Sequence, residues 1–203
     1  MRKAVILSLL TVALCCGQNT LTSNEAAEGW VLLFDGKTMN GWQGRATSVP
    51  NTTGDWTVAN GMLVCGGKTP SWLSGNATYS DFDLRLEFRG PEKVNSGVFL
   101  RSQKEGQPHV TGYELQIWDY QPQGFLTGSL VNYQKATAAG KVLDDQWNSY
   151  DIKADGDHFV ISLNGKTVLD VHDKSHASGV IGLQCQPNNK IEFRNIKIRP
   201  IKK

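Results

Sequence analysis

Residues 81–88, DFDLRLEF, place Phe82, Leu84, Leu86 and Phe88 on one side of an extended chain and Asp83, Arg85 and Glu87 on the other. A period of two fits a strand with one face in a core and the other in water. The same design recurs along most of the chain. HFVISLNGKTVLDV alternates Phe159, Ile161 and Leu163 up to Asn164-Gly165, then starts a second strand, and DWTVANGMLVCG does so around Asn60-Gly61. Asn-Gly between apolar runs signals a tight hairpin, because both residues tolerate positive φ. Further strands are expected at GYELQIWD, SYDIKAD, GVIGLQCQ and IEFRNIKIRPI. In the last of these the apolar parity switches between Phe193 and Ile196, which predicts a bulge near Asn195. No long segment carries a helical period, and 21 glycines punctuate the turns. The expected fold is all-β, a sandwich of antiparallel sheets.

The chain has 203 residues and a formal net charge of +2, without a Lys/Arg cluster beyond the terminal IKIRPIKK. No nucleic-acid partner is expected from that balance. Residues 1–17 read as an export signal: a basic MRK, the apolar AVILSLLTVAL, then CCG. That run is too short for a transmembrane span, and no other segment is apolar enough for one. Cys16 or Cys15 could carry a lipid anchor, but Leu14 or Cys15 stands where a lipobox has Gly or Ala, so cleavage without lipid is favoured. The expected location is periplasmic or extracellular. A polar tether follows over residues 18–28, and one domain over 29–203. Cys65 and Cys185 remain, either paired or as two buried thiols, since sequence does not give their separation.

The candidate chemistry centres on two neighbouring segments. In NSGVFLRSQ, Val98 and Leu100 share one parity and Phe99 and Arg101 the other. In GYELQIWD, Tyr113, Leu115 and Ile117 oppose Glu114, Gln116 and Trp118. Arginine, carboxylate and aromatic on one outward layer suit a sugar, because rings stack on pyranose faces and bidentate groups take vicinal oxygens. Equally, Arg101 and Glu114 could be a solvated ion pair worth about 0–1 kcal/mol. His109, His158, His172 and His176 lack metal-ligand spacing, and no nucleophile elbow, zinc motif or phosphate loop is present. No cofactor is expected; dependence on a divalent cation is not readable from the sequence, since Asp144 and Asp145 are too little to place a calcium ion.

Nine segments in order, among them GWVLLFDGKTMNGW, NSGVFLR, TGYELQIWD, LTGSL, QWNSYDI and LNGKTVLD, resemble the secreted bacterial 3-keto-disaccharide hydrolase-like family. The resemblance implies a concanavalin-like jelly roll of two antiparallel sheets acting on a carbohydrate substrate already oxidised at carbon 3. It implies a base that removes the proton on carbon 2, a stabiliser for the enolate and an acid for the leaving group. Carried onto matching positions, Glu114 becomes the base, Arg101 the stabiliser and Asp119 the acid. Gln116 and Gln184 would hold hydroxyls, Trp118 and Tyr133 would offer stacking surfaces, and Asn95 would fix a turn more readily than touch substrate. The chain departs from the family pattern at CQPNN, Cys185 to Asn189, where a His-Gly-like turn is expected, and at VNYQ after LTGSL. The competing reading is a carbohydrate-binding, lectin-like module without catalysis.

Overall fold

The computed structural model describes residues 17–46, 54–137 and 141–202. The export signal expected over residues 1–17 lies, apart from Gly17, outside them, as do Cys15 and Cys16. In chain order the elements are α1 (Ser23–Ala27), β1 (Val31–Leu32), β2 (Trp42–Ala46), β3 (Trp56–Ala59), β4 (Met62–Cys65), β5 (Ser71–Tyr79) and β6 (Phe82–Arg89). There follow β7 (Ser96–Ser102), α2 (Pro108–Thr111), β8 (Tyr113–Ile117), β9 (Asn148–Asp155), β10 (His158–Leu163), β11 (Lys166–His172), β12 (Gly179–Cys185) and β13 (Ile191–Pro200).

The strands form two antiparallel sheets. One runs β11-β10-β9-β6-β13-β4-β3, with β1 added beside β13; the other runs β2-β5-β12-β7-β8. Between them lies a single core, in which Phe82, Leu84, Leu86 and Phe88 of β6 meet Val98, Leu100, Leu115, Ile117 and Leu183 from the opposite sheet. The antiparallel sandwich expected from alternation, a jelly roll as the resemblance implies, is therefore the fold. Both Asn-Gly hairpins form as read, with φ of 50° and 75° at Asn60 and Gly61, and 50° and 77° at Asn164 and Gly165. The β13 bulge is also present: register shifts between Arg194 and Lys197, and Asn195 has φ 52°.

Three expectations change. Residues 18–28 are not a free tether. Asn19 and Asn195 exchange hydrogen bonds from backbone N–H to side-chain Oδ1 in both directions, at 2.7 and 2.9 Å. Beyond them α1 is closed by a Thr22/Glu25 capping box, and Glu25 pairs with Lys197. Cys65 and Cys185 form a disulfide, Cα to Cα 5.7 Å, that joins β4 of one sheet to β12 of the other. Two strands, β2 and β5, arise where no alternation announced them, in WQGRA and SWLSGNATY. Ser71 to Ser74 are all buried, so both parities are enclosed and the period of two disappears.

Candidate active site

The outer face of the five-stranded sheet is built by register. Arg45 of β2 pairs with Trp72 of β5, and Trp72 with Gln184 of β12; Gly97 of β7 pairs with Gln116 of β8. A parallel row holds Gln43, Ser74, Gly182, Phe99 and Glu114. Cross-strand neighbours share a face, so these side chains form one surface on the side away from the core. Its apolar floor is a separate cluster of Trp72, Phe99 and Val180. Trp72 and Phe99 meet edge to face with centroids 5.6 Å apart.

Two glycines make room on this surface. A Cβ at Gly182 would come within 2.6 Å of the Trp72 ring, which therefore lies directly across the β12 backbone. A Cβ at Gly97 would sit 3.1 Å from Glu114 Cγ and 3.2 Å from its Oε1. Without that carbon the Glu114 side chain leans over β7 and reaches the strand beyond it. There Gln184 Nε2 donates to Glu114 Oε1 at 3.0 Å.

Glu114 retains 8% exposure. Desolvation pushes its carboxyl up to about 7, while the hydrogen bond from Gln184 acts in the opposite direction. Its second oxygen, Oε2, takes no hydrogen bond among the described residues and is not sealed from solvent, unlike Gln184 Oε1, which is buried and unpartnered. A carboxyl that titrates near neutrality with one oxygen held and one open can accept a proton at pH 7 and give it back.

Glu114, Gln116 and Gln184 thus come together as expected; Arg101 does not join them. Register pairs Ser102 with Val180 and Phe99 with Gly182, so Leu100 and Arg101 both oppose Ile181 in a bulge. Arg101 takes φ 55° and its side chain leaves the Phe99 face. Its guanidinium donates to the carbonyls of Ser80 (2.7 Å), Gly156 (2.7 Å) and His176 (3.2 Å) and meets Asp81 Oδ1 at 3.3 Å. It also stacks 4.9 Å from the Phe159 ring centroid, on the core side. Arg101 is 1% exposed, so it faces neither water nor a ligand, and it is removed as the enolate stabiliser.

Two other assignments fail for similar reasons. Tyr133 packs on Tyr113, a core-side residue, with centroids 4.8 Å apart, and its hydroxyl meets His176 Nε2 at 2.7 Å. That position is off the Glu114 surface and offers a sugar no platform. Asp119 lies beyond the end of β8, where its Oδ2 accepts the Val142 N–H at 2.8 Å and its Oδ1 is buried, so its carboxylate anchors a loop. Trp118, one residue past β8, is half-buried. At Asn95 it is the backbone N–H that is held, donating to Asn189 Oδ1 at 2.7 Å.

Arg45, Trp72 and Gly97 belong to the face and were not read as such. A signal for the glycine existed: Gly inside a strand often marks a close approach, and Gly97 directly precedes an apolar run while Gly182 interrupts one. Arg45 bonds Gln43 at 2.9 Å and stands 3.8 Å from Glu105.

Residues 29–199 match the model of the 3-keto-alpha-glucoside-1,2-lyase-like domain. The chain belongs to this family. A relative in Bacteroides thetaiotaomicron, a 3-keto-disaccharide hydrolase, is 31% identical over 175 residues, which span 72% of this chain and 59% of the relative. The chain therefore matches about three-fifths of that protein's length. Among solved structures, a candidate glycosyl hydrolase of Parabacteroides distasonis superposes with a TM-score of 0.79 at 22% identity, covering 92% of this chain and all of that one. The carbohydrate-binding module CBM66 of Bacillus subtilis superposes at 0.59 with 18% identity, over 77% and 94%. These two likenesses establish the fold; the family membership ties the chain to glycoside processing.

Proposed function

We propose that this protein cleaves 3-keto-glycosides by elimination followed by hydration, with Glu114 as the general base. The observation that carries the reading is the Glu114 carboxyl, raised to about 7 by burial and leaned across Gly97 onto Gln184. A ketone at carbon 3 acidifies the proton on carbon 2. Glu114 Oε2 takes that proton, and the C2–H electron pair becomes the C2=C3 bond of an enolate. The enolate collapses to the ketone, a C1=C2 bond forms, and the C1–O bond to the aglycone breaks. The departing oxygen takes the proton from Glu114, which ends ionised. Water then adds across C1=C2, hydroxyl to carbon 1 and hydrogen to carbon 2, giving the free keto-sugar. One base on one face suffices, whereas an ordinary glycosidase needs two carboxyl groups flanking the bond.

A carboxyl tuned to neutrality supports the catalytic reading over a carbohydrate-binding module, which needs no such group. Export, read from residues 1–17, belongs to the proposal and places the substrate outside the cytoplasm. The test is incubation with a 3-keto-glucoside and with its unoxidised parent. Release of aglycone from the keto form alone is expected, with kcat/KM rising through about pH 7 as the base ionises. Glu114→Gln should abolish release. Binding of both sugars without release, or full turnover by the variant, would overturn the assignment.

A further inference from the structure

With Arg101 buried elsewhere, the enolate oxygen needs another donor. We infer that Gln116 is that donor, a further catalytic residue; the inference rests on the 3-keto-glycoside reading of the same face. Gln116 and Glu114 are i and i+2 on β8 and lie in adjacent rows of the outer surface. Two residues along a strand span about 6.8 Å. A base on the carbon 2 proton and a donor on the carbon 3 oxygen must be a few ångströms apart, which side chains rooted at that spacing can reach.

The orientation of the Gln116 amide is settled by its neighbour. Its Oε1 accepts the Ile117 N–H at 3.2 Å, which turns the NH2 group away from the backbone. Among the described residues Nε2 has no hydrogen-bond partner, and it is not sealed from solvent, although the residue as a whole is only 4% exposed. Two N–H donors thus stand uncommitted on the face that carries the base. The backbone beneath is held from the core side, where the Tyr150 hydroxyl donates to the Gln116 carbonyl at 2.7 Å and the Gly128 N–H adds 3.0 Å. Donors fixed before the reaction and aimed where charge develops are the oxyanion-hole arrangement. The Glu114 side chain lies over Gly97, the residue paired with Gln116, which brings the carboxylate into the row that holds the amide.

The experiment compares wild type, Gln116→Glu and Gln116→Met on a 3-keto-glucoside. Release of aglycone and exchange of the carbon 2 proton with D2O are measured separately. Gln116→Glu keeps the shape and the acceptor for Ile117 N–H while removing the donors, so it serves if Gln116→Met folds poorly. Both variants should lose about 10²–10³-fold in kcat with KM little changed, and exchange should slow in parallel because enolate formation is the affected step. Unchanged kcat, or a rise in KM alone, would reduce Gln116 to a ground-state contact and overturn the inference while leaving the Glu114 reading intact. Turnover that survives Glu114→Gln would overturn the reading itself, and the role of Gln116 with it.

Discussion

The two sheets share a core but differ on their other faces. In the eight-stranded sheet burial alternates along β6, β9 and β10, so Asp83, Arg85 and Glu87 of β6 look out at solvent while Phe82, Leu84 and Leu86 look in. In the five-stranded sheet β7, β8 and β12 are buried at every position. The first sheet answers water on its outer face with cross-strand ion pairs: Arg85 with Asp151, Arg194 with Glu87, and Arg199 with Asp83. The second presents Trp72, Phe99 and a carboxyl that desolvation holds near neutrality. An outer face withdrawn from water is where polar groups acquire unusual proton affinity. The difference between the faces is therefore a difference between holding a fold in water and preparing a site.

The strongest way to break that comparison is through a charge on the wrong side of it. Arg101 comes from the five-stranded sheet yet acts as a structural clamp at the end of the sandwich. Arg101→Met takes the guanidinium from three carbonyls and from Asp81, which keeps the Gly156 N–H at 2.7 Å, and removing one member of a buried pair costs about 3–5 kcal/mol. Urea unfolding should show a loss of that size, while the fraction still folded turns over substrate at close to the normal kcat. A specific collapse of kcat in folded protein would return Arg101 to the active site.

The same residue shows why part of the molecule was legible and part was not. Both sheets contain a bulge. The one in β13 lies between Phe193 and Ile196, so apolar residues on each side record the change of parity. The one in β7 falls at Leu100, the last apolar residue of the strand, and Arg101, and nothing beyond it records the flip. Alternation therefore extends Arg101 onto the wrong face. β2 and β5 were lost because enclosure of both faces erases the period, and with them went Arg45 and Trp72. Glu114 and Gln116 were found because β8 still alternates in chemistry, if not in burial; Gln184 came only through the family resemblance. The docking of Asn19 onto Asn195, 176 residues away, has no local sign at all.

A smaller effect tests the cost of the withdrawn face. The Glu114 carboxyl has a folded value of about 7 against an ordinary 4.5. Below pH 4.5 both folded and unfolded chains hold the proton and nothing is lost. Between the two values the unfolded chain releases a proton that the folded one keeps, so stability falls as pH rises. Above pH 7 the deficit is complete, about 3 kcal/mol at 1.36 kcal/mol per pH unit. Glu114→Gln cannot ionise and escapes it. Wild type and variant should unfold alike near pH 4, with the inactive variant ahead by about 3 kcal/mol at pH 8. Equal stability across that range would mean that Glu114 is not desolvated.

The smallest effect should come from the solvated face. Asp151 lies opposite Arg85 across β6 and β9, with Arg85 Nε 2.9 Å from its Oδ1, and both side chains are about half exposed. Arg85 also stacks 4.5 Å from the Trp30 ring centroid and lies 3.6 Å from Glu25. Asp151→Ala therefore leaves no buried charge stranded, and an exposed pair contributes about 0–1 kcal/mol. Salt should shrink even that, because the Debye length is about 3 Å at 1 M. A loss as large as that expected for Arg101→Met, persisting in high salt, would mean that the outer face of the eight-stranded sheet is as closed as the site-bearing one. The contrast between the two sheets would then have to rest on chemistry alone.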